Sequence, residues 1–327
     1  MITVLSAGPF ATVQDLGRRD YFAQGVSISG AMDRTALQAG NLMVGNAPGA
    51  AGIETTGAPL RLRFEGPRAF ALTGADAEIT LDDVTLPMWW AGHAEAGQVL
   101  SVMPSRGGMW TYVCLGGGIA CEPVMNSRST DLKIGIGGPF SGKAIPVHSV
   151  LDLGADDVNL ASCIEACGGF GIAPPKRARS TDGSALLRVM VAREYSYFMP
   201  EHRAAFWLEP WQVQRDSNRM GYKLAGPELH TEAPLSLPSY PLVPGTVQVP
   251  PAGQPMVQLA EANTCGGYPK IGVIIAPDLP ALVQTPPGGT VRMHQVSRAG
   301  AAQARQDRNR FFDRVRAATG FIATVVA

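Results

Sequence analysis

Lys270 stands between Pro269 and Ile271, at the end of Glu261-Ala-Asn-Thr-Cys-Gly-Gly-Tyr-Pro-Lys-Ile271. If that turn is buried, lost hydration lowers the pKa of the amine. Such a lysine can hold an anionic intermediate or carry a proton. Left at the surface, it is an ordinary lysine with its stem on apolar neighbours. Upstream, Gly245-Thr-Val-Gln-Val-Pro-Pro-Ala-Gly-Gln-Pro255 reads as a strand, a proline-stiffened turn and a second strand, with Gln248 and Gln254 as polar heads. Asp216-Ser-Asn-Arg-Met-Gly-Tyr222 crowds hydrogen-bonding side chains into a turn-like stretch. Arg219 and Tyr222 can orient a small polar ligand there, whereas Asn218 cannot act as a base; an Asx-rich turn accounts for the same residues. Ser127-Arg-Ser-Thr130 follows the glycine cluster Leu115-Gly-Gly-Gly-Ile119. Arg128 can pair a carboxylate or phosphate bidentately, or simply sit on a strand-connecting loop, and both readings stand.

Two other patterns lead nowhere catalytic. Gly137-Gly-Pro-Phe-Ser-Gly-Lys143 has phosphate-loop spacing, but Ala144 stands where a magnesium-holding Ser or Thr is required. Ala144-Ile-Pro-Val-His148 reads as a strand rather than the helix such a loop needs, so the stretch is taken as a tight turn. Cys163 and Cys167 are spaced C-x3-C with no histidine close by, and no metal site is expected. The five cysteines are an odd number and form no disulfide framework, which points to reduced thiols in a cytoplasmic protein.

The elements that must position these residues are mostly strands. Glycine (38) and proline (26) make up about a fifth of the 327 residues, against a usual share of about 12%. Many turns imply many short strands. Apolar runs of strand length recur at Met1–Leu5, Ala69–Leu72, Glu78–Leu81, Val99–Met103, Trp110–Leu115, Leu186–Ala192, Thr246–Val249, Met256–Leu259, Gly272–Ile275 and Val291–Val296. Helical periodicity is confined to Met32–Val44, Glu201–Leu208 after Pro200, and Arg298–Thr319 with its stripe of Ala301, Ala304, Phe311, Phe312 and Val315. Twenty-seven basic residues balance 27 acidic ones, which argues against a nucleic-acid or anionic-membrane binder. No apolar run reaches membrane-spanning length.

Pro174–Ser184 is polar, basic and linker-like, and Thr231–Pro244 carries four prolines and must be irregular or an edge. The division expected is residues 1–180 and 181–327, both β-rich, with the termini free to cross over. Ser29-Gly-Ala-Met-Asp33 also resembles Ser217-Asn-Arg-Met-Gly221, a faint hint of duplication.

Taken in order, nine stretches resemble one family: Thr12-Val-Gln-Asp-Leu-Gly-Arg18, Ser29-Gly-Ala-Met-Asp33, Asn41-Leu-Met-Val-Gly-Asn46, Ile53-Glu-Thr-Thr-Gly57, Leu72-Thr-Gly-Ala75, Ser127-Arg-Ser-Thr130, Arg219-Met-Gly-Tyr222, Gly245–Pro255 and Gly266-Gly-Tyr-Pro-Lys-Ile271. It is the biotin-dependent carboxyltransferase and allophanate hydrolase subunit 2 family. That family includes the third subunit of ATP-dependent 5-oxoprolinase, the Kip-type antagonist and the carboxyltransferase domain of urea carboxylase.

The resemblance implies a mainly β fold of tandem cyclophilin-like β-barrel domains, a few helices, and a polar site in the groove between the domains. It implies Lys270, Arg219 and Tyr222 as catalytic residues. Ser29, Met32, Asp33, Arg128, Ser129, Asn218, Gly221, Gln248, Gln254 and Tyr268 are its substrate-binding positions. A companion chain completes the site, of the type of allophanate hydrolase subunit 1 or the B component of 5-oxoprolinase, and ATP is handled with that partner. The activity implied is ATP-dependent conversion of 5-oxoproline, a small amide, to glutamate. Two departures stand out: Asn218 replaces the family aspartate, and Met125-Asn126 replaces Leu-Gly before Ser127. Losing the carboxylate at 218 weighs against true carboxyl transfer. The alternatives are a carboxyltransferase for a urea-like substrate, fed by biotin on another protein, and a non-catalytic regulatory subunit. The chain has no biotinyl-lysine segment of its own.

Overall fold

The computed structural model describes residues 1–233 and 235–325. Pro234, inside the proline-rich stretch, and residues 326–327, at the end of the second expected domain, lie outside the described residues. The chain forms two compact units. One comprises Met1–Arg18, Ser29–Pro175 and Arg310–Ala327; the other comprises Arg19–Ile28 and Lys176–Asn309. The two part at residues 175 and 176, within the linker-like Pro174–Ser184.

The first unit holds two six-stranded sheets. One contains Ile2–Ser6, Leu60–Phe64, Ile79–Leu81, Val84–Leu86, Val99–Val102 and Val150–Leu151; the other contains Thr12–Gln14, Gly52–Thr55, Arg68–Gly74, Trp90–Ala94, Thr111–Leu115 and Phe170–Gly171. Strand alternation sends one set of side chains from each sheet into a shared core. Ile2, Val4, Leu60, Leu62, Phe64 and Leu100 from the first sheet meet Val13, Ile53, Phe70, Leu72 and Val113 from the second. The rings of Phe64 and Phe70 touch across it with centroids 5.8 Å apart.

Three helices belong wholly or partly to this unit. The helix Arg34–Met43 is capped by Asp33, whose side chain accepts from the Ala36 N–H. Val158–Ala166 is capped in the same way by Asp157. The last helix, Arg298–Val325, places Phe311 against Trp89 (centroids 6.2 Å apart) and donates from Thr319 to the Leu42 carbonyl.

The second unit is a closed seven-stranded barrel. Its order is Ala185–Val191, Lys270–Ile274, Thr246–Gln248, Met256–Gln258, Gly221–Ala225, Trp211–Val213 and Thr290–Gln295, closing on the first strand through a parallel pairing. Closure leaves no free sheet edge. A separate two-stranded ladder joins Tyr240–Pro241 to Cys265–Gly266. Pro200 opens the helix Pro200–Leu208 at its first turn, as expected.

The expected architecture is the one observed: mainly β in tandem units, with few helices and a C-terminal helix. One local expectation is overturned. Ala144–His148 is not a strand. Pro146 has no N–H to give, His148 turns at φ 66°, and the segment is held instead by single bonds from Ile145 to Ala11 and from His148 to Val4. The two similar pentapeptides differ locally: Ser29–Asp33 leads into a helix, and Asn218 and Gly221 bracket a turn into a strand.

Gly137–Lys143 is a turn, as expected, with Gly137, Gly138, Ser141 and Gly142 all at positive φ. The five cysteines are free thiols; Cys114 and Cys163 are buried, Cys167 and Cys265 exposed. Among the described residues no helix is long and apolar enough to cross a membrane.

Phe64→Ala is expected to cost about 3–5 kcal/mol, because the ring is fully buried between two sheets that cannot easily collapse onto the gap. Urea denaturation of the full chain checks this; a loss below about 1 kcal/mol would show that the sheets do close over it.

Candidate functional site

The second unit brings together Gln248, Tyr268 and Lys270. Gln248 lies opposite Lys270 in the barrel, just past a register shift at Val247. Lys270 is only 3% exposed. Its Nζ donates to the Gly266 carbonyl at 2.8 Å and stands 3.1 Å from the centroid of the Tyr240 ring. Burial pushes the amine below the ordinary lysine range, while the charges of Glu194 and Cys265 pull it back up. The Gln248 side-chain oxygen accepts from Gln258 Nε2 at 2.9 Å, and Gln248 Nε2 points to the Tyr268 carbonyl at 3.4 Å.

Gly266 permits this packing. A Cβ there would come within 2.7 Å of Gln248 Nε2 and 2.9 Å of Leu242. Tyr268 is half exposed and, with Gly267 and Pro269, lines a cavity of about 640 Å³ whose walls include Leu229, His230 and Pro250. Of these groups, the Lys270 ammonium and the Gln248 amide N–H are of the kind that stabilise a developing oxyanion, and each is turned to a carbonyl here.

The other expected residues of this unit are engaged differently. Arg219 is 5% exposed and its Nε donates to Glu261 Oε1 at 2.5 Å. The Tyr222 hydroxyl donates to the Val283 carbonyl. Asn218 accepts from the Met220 N–H, an Asx turn at the surface. Gly221 pairs with Gln258, where a Cβ would meet the Val257 carbonyl at 2.8 Å. Gln254 exchanges two bonds with the backbone of Gly226.

In the first unit, Arg128 and Ser129 gather at Asp15. Its carboxylate accepts from the Arg128 N–H at 2.6 Å, the Ser129 hydroxyl at 2.5 Å, the Ser127 hydroxyl at 2.7 Å and the Gly17 N–H at 2.7 Å. The Arg128 side chain is exposed and donates from Nε to the Cys121 carbonyl. Ser29 sits at φ 55° and donates to the Thr130 carbonyl. Met32 donates its N–H to Glu54 at 2.7 Å, and Asp33 donates its own to the Tyr112 hydroxyl, which in turn donates to Glu54 at 2.6 Å. Burial and the Glu54 charge hold that phenol protonated, well above its ordinary pKa.

Sequence reasoning did not single out Asp15, Glu54, Glu194, Tyr240, Gln258 or Glu261. Asp15 and Glu54 lie inside stretches that carry the family resemblance, and Glu261 opens the segment that ends at Lys270; both were usable signals. Tyr240 lies in the proline-rich stretch, whose only legible property is irregularity, and Glu194 had no marker. Among the described residues, His93, Glu95 and Glu165 bring potential metal-ligand atoms within 4.8 Å of one another, but Glu95 and Glu165 are exposed.

Replacing Glu261 by Gln removes the carboxylate that accepts from the buried Arg219 Nε. The expected loss of stability is about 3–5 kcal/mol in urea denaturation; a loss under about 1 kcal/mol would show that this pair does not anchor the turn.

Comparison with known proteins accords with this architecture. The family described as carboxyltransferase domain, subdomain A and B, matches residues 24–295. The chain is 39% identical to the C component of 5-oxoprolinase from Escherichia coli over 315 residues, covering 96% of this chain and 97% of that protein. It is 37% identical to the same component from Haemophilus influenzae over 317 residues, 97% and 98% of the two chains. The crystal structure of Kluyveromyces lactis urea carboxylase has the same fold, with a TM-score of 0.84 over 96% of this chain and 29% of that one at 24% identity. With its family model spanning most of its length and relatives aligned nearly end to end, the chain belongs to the carboxyltransferase domain, subdomain A and B, family.

Proposed function

We propose that this chain is one subunit of an ATP-dependent 5-oxoprolinase that opens 5-oxoproline to glutamate together with companion subunits. The observation that carries the reading is the 39% identity to the C component of a 5-oxoprolinase across nearly the whole of both chains. The partner is of the type of the 5-oxoprolinase B component, or of allophanate hydrolase subunit 1, and ATP is handled with that partner. The five free thiols suit a reducing compartment such as the cytoplasm.

The difficulty of the reaction is a resonance-stabilised ring amide. Its carbonyl oxygen gains negative charge when it is activated. In this reading the Lys270 ammonium holds that oxygen, which requires its Nζ to exchange the Gly266 carbonyl for substrate. Arg219 already carries a carboxylate partner in Glu261, so its part is to hold the turn that ends at Gly221. A carboxyltransferase acting on a urea-like amide, with biotin supplied by another protein, is the second reading. It is favoured by the family match itself, and avidin would stop that reaction but spare the first.

The test is ATP hydrolysis by the chain co-purified with its companion subunits, with and without 5-oxoproline, in biotin-free buffer. ADP release that depends on 5-oxoproline is expected; no stimulation overturns the reading. Lys270→Ala is expected to lower turnover by about 10²–10³, the usual effect of removing an oxyanion donor. The required form is the charged one, present below the pKa. Because burial lowers that pKa, activity is expected to fall as pH rises through a midpoint below the ordinary lysine value. A rate that instead climbs through that midpoint would assign Lys270 the role of a base.

A further inference from the structure

A buried amine needs something to replace its water. Lys270 finds little of this on its own strand. Its Nζ has the Gly266 carbonyl on one side and the face of Tyr240 on another. An aromatic face attracts a cation most strongly where water is excluded. Both groups come from one short ladder, in which Tyr240 pairs with Gly266 and Pro241 with Cys265. The ladder therefore sets the ring and the carbonyl at a fixed spacing.

The ring is tied at its far end. The Tyr240 hydroxyl donates to Glu194 Oε2 at 2.6 Å, and the same oxygen faces the Lys270 N–H at 3.4 Å. Glu194 is 3% exposed and lies in the short helical turn Arg193–Tyr197, directly after the strand Ala185–Val191 that pairs with Lys270–Ile274. One carboxylate thus fixes both the backbone of Lys270 and the ring that covers its amine.

We propose that Glu194 and Tyr240 are positioning residues for Lys270, holding Nζ between the Tyr240 face and the Gly266 carbonyl and fixing the charge it carries. The proposal rests on the reading of Lys270 as the cation of the reaction. Three ionisable groups bear on the amine or its ring: Glu194 and Cys265 on the amine, and Arg193 on Tyr240. Burial and Glu194 keep the Tyr240 phenol protonated. The ring therefore acts through its face and not as an anion.

The chain makes the test practicable, because its lysines are Lys133, Lys143, Lys176, Lys223 and Lys270 alone. In full chain labelled with [ε-13C]lysine, NMR gives five ε signals, and Lys270→Arg identifies the one that disappears. In the unsubstituted chain, ring current shifts the Lys270 ε protons upfield of the other four. Tyr240→Leu is expected to abolish that shift and lower the titration midpoint of Lys270 by about one pH unit. Glu194→Gln lowers the midpoint in the same direction, by removing a charge that favours the ammonium, and Tyr240→Phe, which keeps the face but loses the bond to Glu194, reduces the upfield shift without abolishing it. A Lys270 signal with no ring-current shift, or a midpoint unmoved by both Tyr240→Leu and Glu194→Gln, overturns the proposal.

The assembled complex separates this outcome from failure of the reaction reading. If Lys270 is the reacting cation, the alkaline limb of 5-oxoproline-dependent ATP hydrolysis moves to lower pH in Tyr240→Leu by the shift seen in NMR. A midpoint that moves while the alkaline limb stays in place sinks the catalytic role of Lys270, and leaves Glu194 and Tyr240 as its positioning residues.

Discussion

Taking a carboxylate out of water costs several kcal/mol unless hydrogen bonds replace its hydration shell. This protein meets that cost at Asp15 and Glu54 in one unit and at Glu194 and Glu261 in the other, all at most 9% exposed. Each carboxylate ties together segments that are distant along the chain. Asp15 collects the Ser127–Ser129 loop. Glu54 holds the entry to the helix Arg34–Met43 through Met32 and Tyr112. Glu261 neutralises Arg219 in its turn, and Glu194 holds Tyr240. Removing one of these groups frees a loop and also leaves its partners unsatisfied, so the penalty exceeds the value of a single bond.

The same logic applies to the buried amine of Lys270. A charged lysine at 3% exposure survives only if dipoles and polarisable faces take the place of water. A carbonyl and an aromatic face do this more weakly than a contacting carboxylate would. Among the described residues, Nζ meets that carbonyl and that face and not a carboxylate. Glu194 acts through the ring and the backbone rather than as a direct salt bridge to Nζ.

Much of this is legible in the sequence, because short-range patterns decide it. The ten strand-length runs all contain strands, since period-2 burial and turn residues act locally. The helix that follows Met199 begins at Pro200, where the proline places it. Ala144–His148 departs from its pattern because a proline and a left-handed His148 outweigh an apolar run. Lys270, Gln248 and Tyr268 stand out in their motifs and do lie together in the barrel. Tyr240 and Glu194 carry no such mark, since they approach Lys270 from 30 and 76 residues away in sequence.

By itself, then, the sequence determined the β-rich class, the strand positions, the family, and which of five lysines is worth following. Those follow from local sterics, burial periodicity and ordered motifs, which act over a few residues at a time. Only the tertiary structure decided that Lys270 is buried, that Gly266 and Tyr240 are its partners, and that Arg219 is neutralised by Glu261. Each of these depends on which strands pair and in what register, and a β-ladder joins residues whose separation along the chain carries no mark of their meeting.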